Sequence, residues 1–221
     1  CAMCHEGSGP FGEHGEILDL PFLDTLHALQ EVAIGGGNVL EHPHLVPFLE
    51  KLKERLVIAN LTVNQIHFMQ NVDFLEKLID EDLIKGIGVS LMNPSDGFIL
   101  EVSQFPTAVI HTIAGIVDVK DLERLYDQDL NILILGYKDL RRGREYKEEH
   151  GEEIKRKMKE LSDNIMEICR HFKHVAFDNM ALAQLDMKSK IDPEKWERLY
   201  MGDEGTATFY IDGVTKKFAE S

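Results

Sequence analysis

Cysteine is scarce in this chain, with three residues in 221. An odd number with two of them in one Cys-x-x-Cys pair makes a poor disulfide framework and a reasonable metal-ligand set, which fits a reducing compartment. Basic residues are also few. Lys and Arg total 24 against 39 Asp and Glu, a net charge of -15, so clustered cations for a phosphate backbone are missing and nucleic acid is not an expected partner. No apolar run approaches the roughly 18 to 20 residues that span a bilayer, and no basic-then-apolar signal segment occurs. No membrane association is expected, and the chain reads as soluble and cytoplasmic. A linker rich in Pro, Gly or Ser is absent too, so residues 1–221 read as one compact domain.

What is present is alternation. Short apolar runs that read as buried strands begin near Val32, Val57, Ile87, Ala108, Ile132 and His174, and segments with three- and four-residue apolar spacing separate most of them. Leu45, Phe48, Leu49 and Leu52 form one such stripe, with Pro43 expected in the first helical turn. Phe74, Leu75, Leu78 and Ile79 form another. A long helix is predicted from Arg144 to Phe172, its apolar side carrying Ile154, Met158, Leu161, Ile165, Ile168 and Phe172. Near the C-terminus, Thr206 to Ile211 and Val214 to Phe218 flank Asp212-Gly213, the signal of a two-residue type I′ hairpin. The βα unit recurs at roughly 22 to 30 residues, the scale of α/β barrels.

Two motifs carry chemistry. Cys1-Ala2-Met3-Cys4 opens a loop with glycines at Gly7, Gly9, Gly12 and Gly15, and Gly35-Gly36-Gly37-Asn38 closes the first strand. A loop around a cluster must bend sharply and bring backbone amides near sulfur, which glycine permits. The pair of motifs resembles the radical S-adenosylmethionine (SAM) superfamily. There the cluster loop reads CxxxCxxC, so Cys1 and Cys4 correspond to its second and third cysteines; the first would lie four residues before residue 1. Met3 stands where the family often has an aromatic residue. The glycine run resembles the family's GGEP motif, which binds the amino group of SAM, with Asn38 in place of its glutamate and Val39 in place of its proline.

The resemblance implies a partial (β/α)6-type parallel barrel with a C-terminal hairpin or extra strand, lacking its first strand and cut short at the N-terminus, with a C-terminal truncation also open. It implies a 4Fe-4S cluster on Cys1 and Cys4, and SAM held by Gly35, Gly36, Gly37, Asn38, Asn64, Ser90, Gly115, Gly136 and Tyr137. Asn64 and Ser90 would meet the ribose and carboxylate, Gly115 would let backbone approach the adenine, and Gly136 and Tyr137 would contact its edge. The activity implied is reductive cleavage of SAM to a 5′-deoxyadenosyl radical that abstracts hydrogen from an unidentified substrate, with flavodoxin or ferredoxin as electron donor. The rival readings are a barrel module without cluster chemistry and a zinc hydrolase in which His5 and His14 complete the Cys1 and Cys4 pair.

Other residues read two ways. His42 and His44, flanking Pro43, suit a helix start better than a metal. His111, inside an apolar strand, is either a satisfied core histidine or an inward-facing residue near substrate. Arg141, Arg142 and Arg144 form either an anion clamp or a solvated charge run. Cys169 reads as a small buried apolar residue, and Asp178 and Asn179 as polar residues facing substrate.

Overall fold

The computed structural model describes residues 3, 4, 7–9, 12–203 and 208–219. They divide into two compact units, Ser8–Ser90 with Glu204–Ser221, and Leu91–Asp203 with Cys1–Gly7, here called the first and second units. The first unit contains β1 (Glu31–Ile34), α1 (Leu45–Glu54), β2 (Ile58–Asn64), α2 (Gln65–Gln70), α3 (Val72–Asp80) and β3 (Gly86–Ser90). The second contains α4 (Asp96–Val102), β4 (Ala108–Ile113), α5 (Val119–Glu123), β5 (Asn131–Leu135), α6 (Arg142–Ile168), β6 (His174–Phe177), α7 (Asn179–Gln184), α8 (Met187–Lys190) and α9 (Pro193–Leu199). Near the C-terminus, β7 (Tyr210–Asp212) and β8 (Lys217–Ala219) form an antiparallel hairpin. Strand order is β1-β2-β3 in the first unit and β4-β5-β6 in the second, the sequential order that right-handed βαβ crossovers produce. Pairing is parallel within each unit.

Alternation builds the sheet. In β2, Ala59, Leu61 and Val63 are buried while the residues between them are half-buried, and in β4 the buried set is Ala108, Ile110 and Thr112. The buried sides lie under helices. Leu49 and Leu52 of α1 are fully buried, and truncating either to alanine should cost roughly 2 to 5 kcal/mol. Pro47, at the third position of α1, has no N–H at a point where the helix offers no acceptor. Pro43 precedes the helix instead of entering it, because α1 starts at Leu45.

The long helix is α6, with Ile154, Leu161, Ile165 and Ile168 buried as the stripe predicts, and with a break at His150 where φ is −119° and ψ 16°. Gly151 follows at once, and glycine's low helix propensity locates the kink. Lys157 Nζ bonds the Ile116 carbonyl at 3.0 Å and pairs with Asp118 at 2.9 Å and Glu153 at 3.1 Å, tying the turn after β4 to α6.

The hairpin corrects one expectation. Its loop is Gly213–Lys216, four residues in place of two, because Asp212 Oδ1 accepts from the N–H of Val214 at 2.9 Å and of Thr215 at 3.1 Å. The left-handed residue is Lys216 (φ 56°), whose N–H bonds the Asp212 carbonyl at 2.8 Å. An Asx turn thus displaces the type I′ turn. Thr206, the expected start of the first strand, lies outside the described residues.

Candidate functional site

The C-terminal ends of β4, β5 and β6 carry a cavity of about 80 Å³ in the second unit. Ile113 and Leu135, each the last residue of its strand, form an apolar wall with Met3; Gly136, Tyr137, Lys138 and Asp178 complete the lining. The backbone here is held rigidly. Asp178 Oδ1 accepts from the Gly136 N–H at 2.8 Å and caps α7 through the Ala181 N–H at 2.7 Å. Gln184 Oε1 accepts from the Tyr137 N–H at 2.8 Å, and its Nε2 donates to the Tyr137 carbonyl at 2.9 Å. A side-chain amide therefore satisfies that residue as a neighbouring strand would.

Two glycines of this region are set by helix packing. A Cβ at Gly136 would lie 2.4 Å from Met180 Cγ and 2.8 Å from the Ala181 nitrogen of α7. At Gly115, where φ is 81°, it would lie 2.9 Å from Ile154 Cγ2 and 3.2 Å from Met158 Cε of α6. The space that glycine frees is filled by those helices.

The N-terminal segment of the same unit reaches this end of the strands. Met3 lines the cavity, its carbonyl oxygen is 3.6 Å from the Cβ position of Gly143, and Gly7, at φ 70°, donates its N–H to the Cys4 carbonyl at 3.1 Å. Cys4 is half-buried. Cys1 and His5 lie outside the described residues. Among the described residues, no three His, Cys, Asp or Glu side chains gather as a metal site. Cys169 is far from a ligand thiolate in character, since burial pushes its thiol up to about 11.

In the first unit, Gly35, Gly36 and Gly37 follow β1 and are exposed. Gly36 has φ 151°, a conformation side chains rarely adopt, and nothing lies within 4 Å of its Cβ position. The next residue but one, Asn38, spends one lone pair as a helix cap, accepting from the Leu40 N–H at 3.3 Å. Asn64 ends β2 and caps α2 through the His67 N–H at 2.9 Å; it pairs in register with Ser90, the last residue of β3. Both side chains sit at C-terminal strand ends on the face that the helices leave uncovered.

The histidines sort by partner. His42 Nε2 bonds the Gly15 carbonyl at 2.9 Å while its Nδ1 accepts from the His44 N–H at 3.1 Å. This fixes the Nε2–H tautomer and fastens the glycine loop to the start of α1. His14 stacks edge-on against His42, ring centroids 4.9 Å apart. Arg144 meets Asp139 at 3.8 Å, and Asn179 Nδ2 donates to the Gly202 carbonyl at 3.1 Å. Sequence reading missed Lys138 and Gln184. For Lys138 its position beside Gly136-Tyr137 was the available signal; for Gln184, 47 residues from its partner, none existed.

No protein-family model matches the chain, and no curated protein matches it in sequence. One solved structure does resemble it, the crystal structure of Streptococcus suis SuiB bound to precursor peptide SuiA, with a TM-score of 0.50 and 12% identity over 83% of this chain. The chain spans about half of that protein, 47% of its length. At this identity the likeness shows a shared α/β fold of parallel strands and helices, and the fold alone. Among the described residues no helix is long and apolar enough to cross a membrane.

Proposed function

We propose that residues 1–221 are a radical SAM core domain, acting in the cytoplasm on a substrate of peptide type with electrons from a flavodoxin or ferredoxin. The observation that carries this reading is the cavity at the C-terminal ends of β4 and β5, lined by the methionine between the two cysteines of the Cys-x-x-Cys pair. Active sites of barrel enzymes lie at that end of the strands. The donor chemistry fits, because thiolates are the ligands a 4Fe-4S cluster takes and glycine-rich backbone can approach its sulfides. Cys1 and Cys4 would hold two irons, and a third thiolate would come from a cysteine preceding them. When bound, a reduced cluster with SAM supplies one-electron cleavage to methionine and a 5′-deoxyadenosyl radical that removes a hydrogen atom from substrate.

The chain's own residues bind and orient. Gly35, Gly36 and Gly37 offer exposed backbone to the polar end of SAM, and the Asn38 carboxamide oxygen keeps a second lone pair for its ammonium. Asn64 and Ser90 offer hydroxyl and amide groups to the ribose and carboxylate. Met3, Ile113 and Leu135 supply an apolar wall for the adenine, beside the Gly115 turn and the Gly136-Tyr137 edge, and exclude water there. Peptide as the substrate class is drawn from SuiB, whose structure holds a precursor peptide.

Anaerobic reconstitution tests the reading. A version with four added N-terminal residues, the first a cysteine, begins CxxxCxxC and should load about four iron and four sulfide per chain. Replacing Cys4 with alanine in that version should abolish loading. Equal loading of the alanine variant would sink the proposal.

A further inference from the structure

On the uncovered face of the second unit, β4 presents Val109, His111 and Ile113, and β5 presents Asn131, Leu133 and Leu135. In register, His111 pairs with Leu133, which pairs in turn with Ala176, one layer beneath the cavity wall of Ile113 and Leu135, about 7 Å down the strand. Two polar side chains near it, Asn131 and Asp178, have partners. Asn131 donates to the Ala108 carbonyl at 3.0 Å and accepts from His174 at 2.8 Å, and Asp178 is spent on two backbone N–H groups. His111 differs. Among the described residues neither of its ring nitrogens has a hydrogen-bond partner. Burial alone pulls it down to about 4, so the ring is neutral at pH 7 and offers one N–H donor and one nitrogen acceptor.

Both ring nitrogens are reachable from the uncovered face, since neither is among the buried polar atoms that lack a partner, and the side chains flanking them, Val109, Ile113, Leu133 and Leu135, are apolar. We infer that His111 is a specificity residue, which hydrogen-bonds an uncharged amide of the substrate while the flanking apolar side chains receive that substrate's hydrocarbon. Charged groups are disfavoured, because this layer holds no countercharge. The inference rests on reading this face as the substrate side and does not require the cluster to be loaded.

The test is an NMR titration of histidine-labelled protein with three probes, N-acetylleucinamide, N-acetylleucine and leucinamide, which are neutral, anionic and cationic. The neutral amide should shift the His111 ring signals and bind at least about ten-fold tighter than either charged probe. In His111→Phe its binding should weaken roughly five- to ten-fold, whereas His111→Gln, which keeps a donor and an acceptor, should stay within about three-fold of the parent. Equal binding of the three probes, unmoved His111 signals, or undiminished binding by the phenylalanine variant would overturn the inference. Iron loading does not enter these readouts, so failure of the cluster proposal would be seen separately.

Discussion

The two units carry the same kind of sheet with opposite kinds of uncovered face. In the first, β2 and β3 set Asn60 beside Gly86, Thr62 beside Gly88 and Asn64 beside Ser90, with Ala33 alongside on β1. The second sets Val109, Ile113, Leu133 and Leu135 there, with His111 between them. Their helix-covered faces do not differ in this way: Ala59, Leu61, Val63, Ile87 and Val89 in one are matched by Ala108, Ile110, Ile132 and Ile134 in the other. Folding demands the apolar covered side in both, since burial against helices is the main stabilising term. The uncovered sides carry no such demand, so the first can hold small polar residues where the second holds apolar ones.

The glycines should break the symmetry most visibly. Gly136→Ala in the second unit forces Met180 and the α7 backbone to shift, and should cost about 3 kcal/mol or more in denaturant unfolding. Gly37→Ala in the first, where the nearest atom to the new Cβ is Ser8 Cβ at 3.9 Å, should change stability by less than about 0.5 kcal/mol while weakening SAM binding measured by calorimetry. A stable Gly136→Ala protein would remove helix packing as the reason for that glycine.

Acid should separate the faces next. His111 stays neutral in the fold down to about pH 4, while the unfolded chain protonates it below its ordinary value of 6.5. The unfolded state therefore binds more protons in that window, and stability is lost as pH falls from about 6.5 toward about 4. Relative to its own value at pH 7, His111→Phe should escape roughly 2 to 3 kcal/mol of that loss near pH 4.5 in urea titrations. Parallel acid limbs for the two proteins would contradict the desolvated placement of the ring.

The smallest effect belongs to Asn38. Its alanine variant loses a helix cap, about 1 kcal/mol, whereas Asn38→Asp keeps the cap and adds the negative charge that the position lacks. The aspartate form should match the parent in thermal unfolding and bind SAM several-fold tighter by calorimetry. Unchanged affinity would leave Asn38 as a cap and nothing more.

Much of the architecture was legible. The strand predicted at Ala108 begins there, those predicted at Val57, Ile87 and Ile132 begin one residue away, and the α6 stripe holds from Ile154 to Ile168. Period-2 and period-3.6 patterns are local, so single stretches suffice to read them. The Asp212-Gly213 turn was misread because a side-chain hydrogen bond competed with backbone preference. The expected site residues were found by resemblance and by position after strands, which gives an address and no contacts.

By itself the sequence determined the order of strands and helices, the face of each that must be buried, and the pairing of a Cys-x-x-Cys loop with a glycine run, since each follows from spacing within a few residues. Only the tertiary structure decided that Met3 lines a cavity with Leu135, that Gly136 and Tyr137 are held by Asp178 and Gln184, and that His111 has no hydrogen-bond partner among the described residues. Those facts depend on register between strands and on contacts between residues over forty positions apart, for which no short-range pattern of side chains carries a signal.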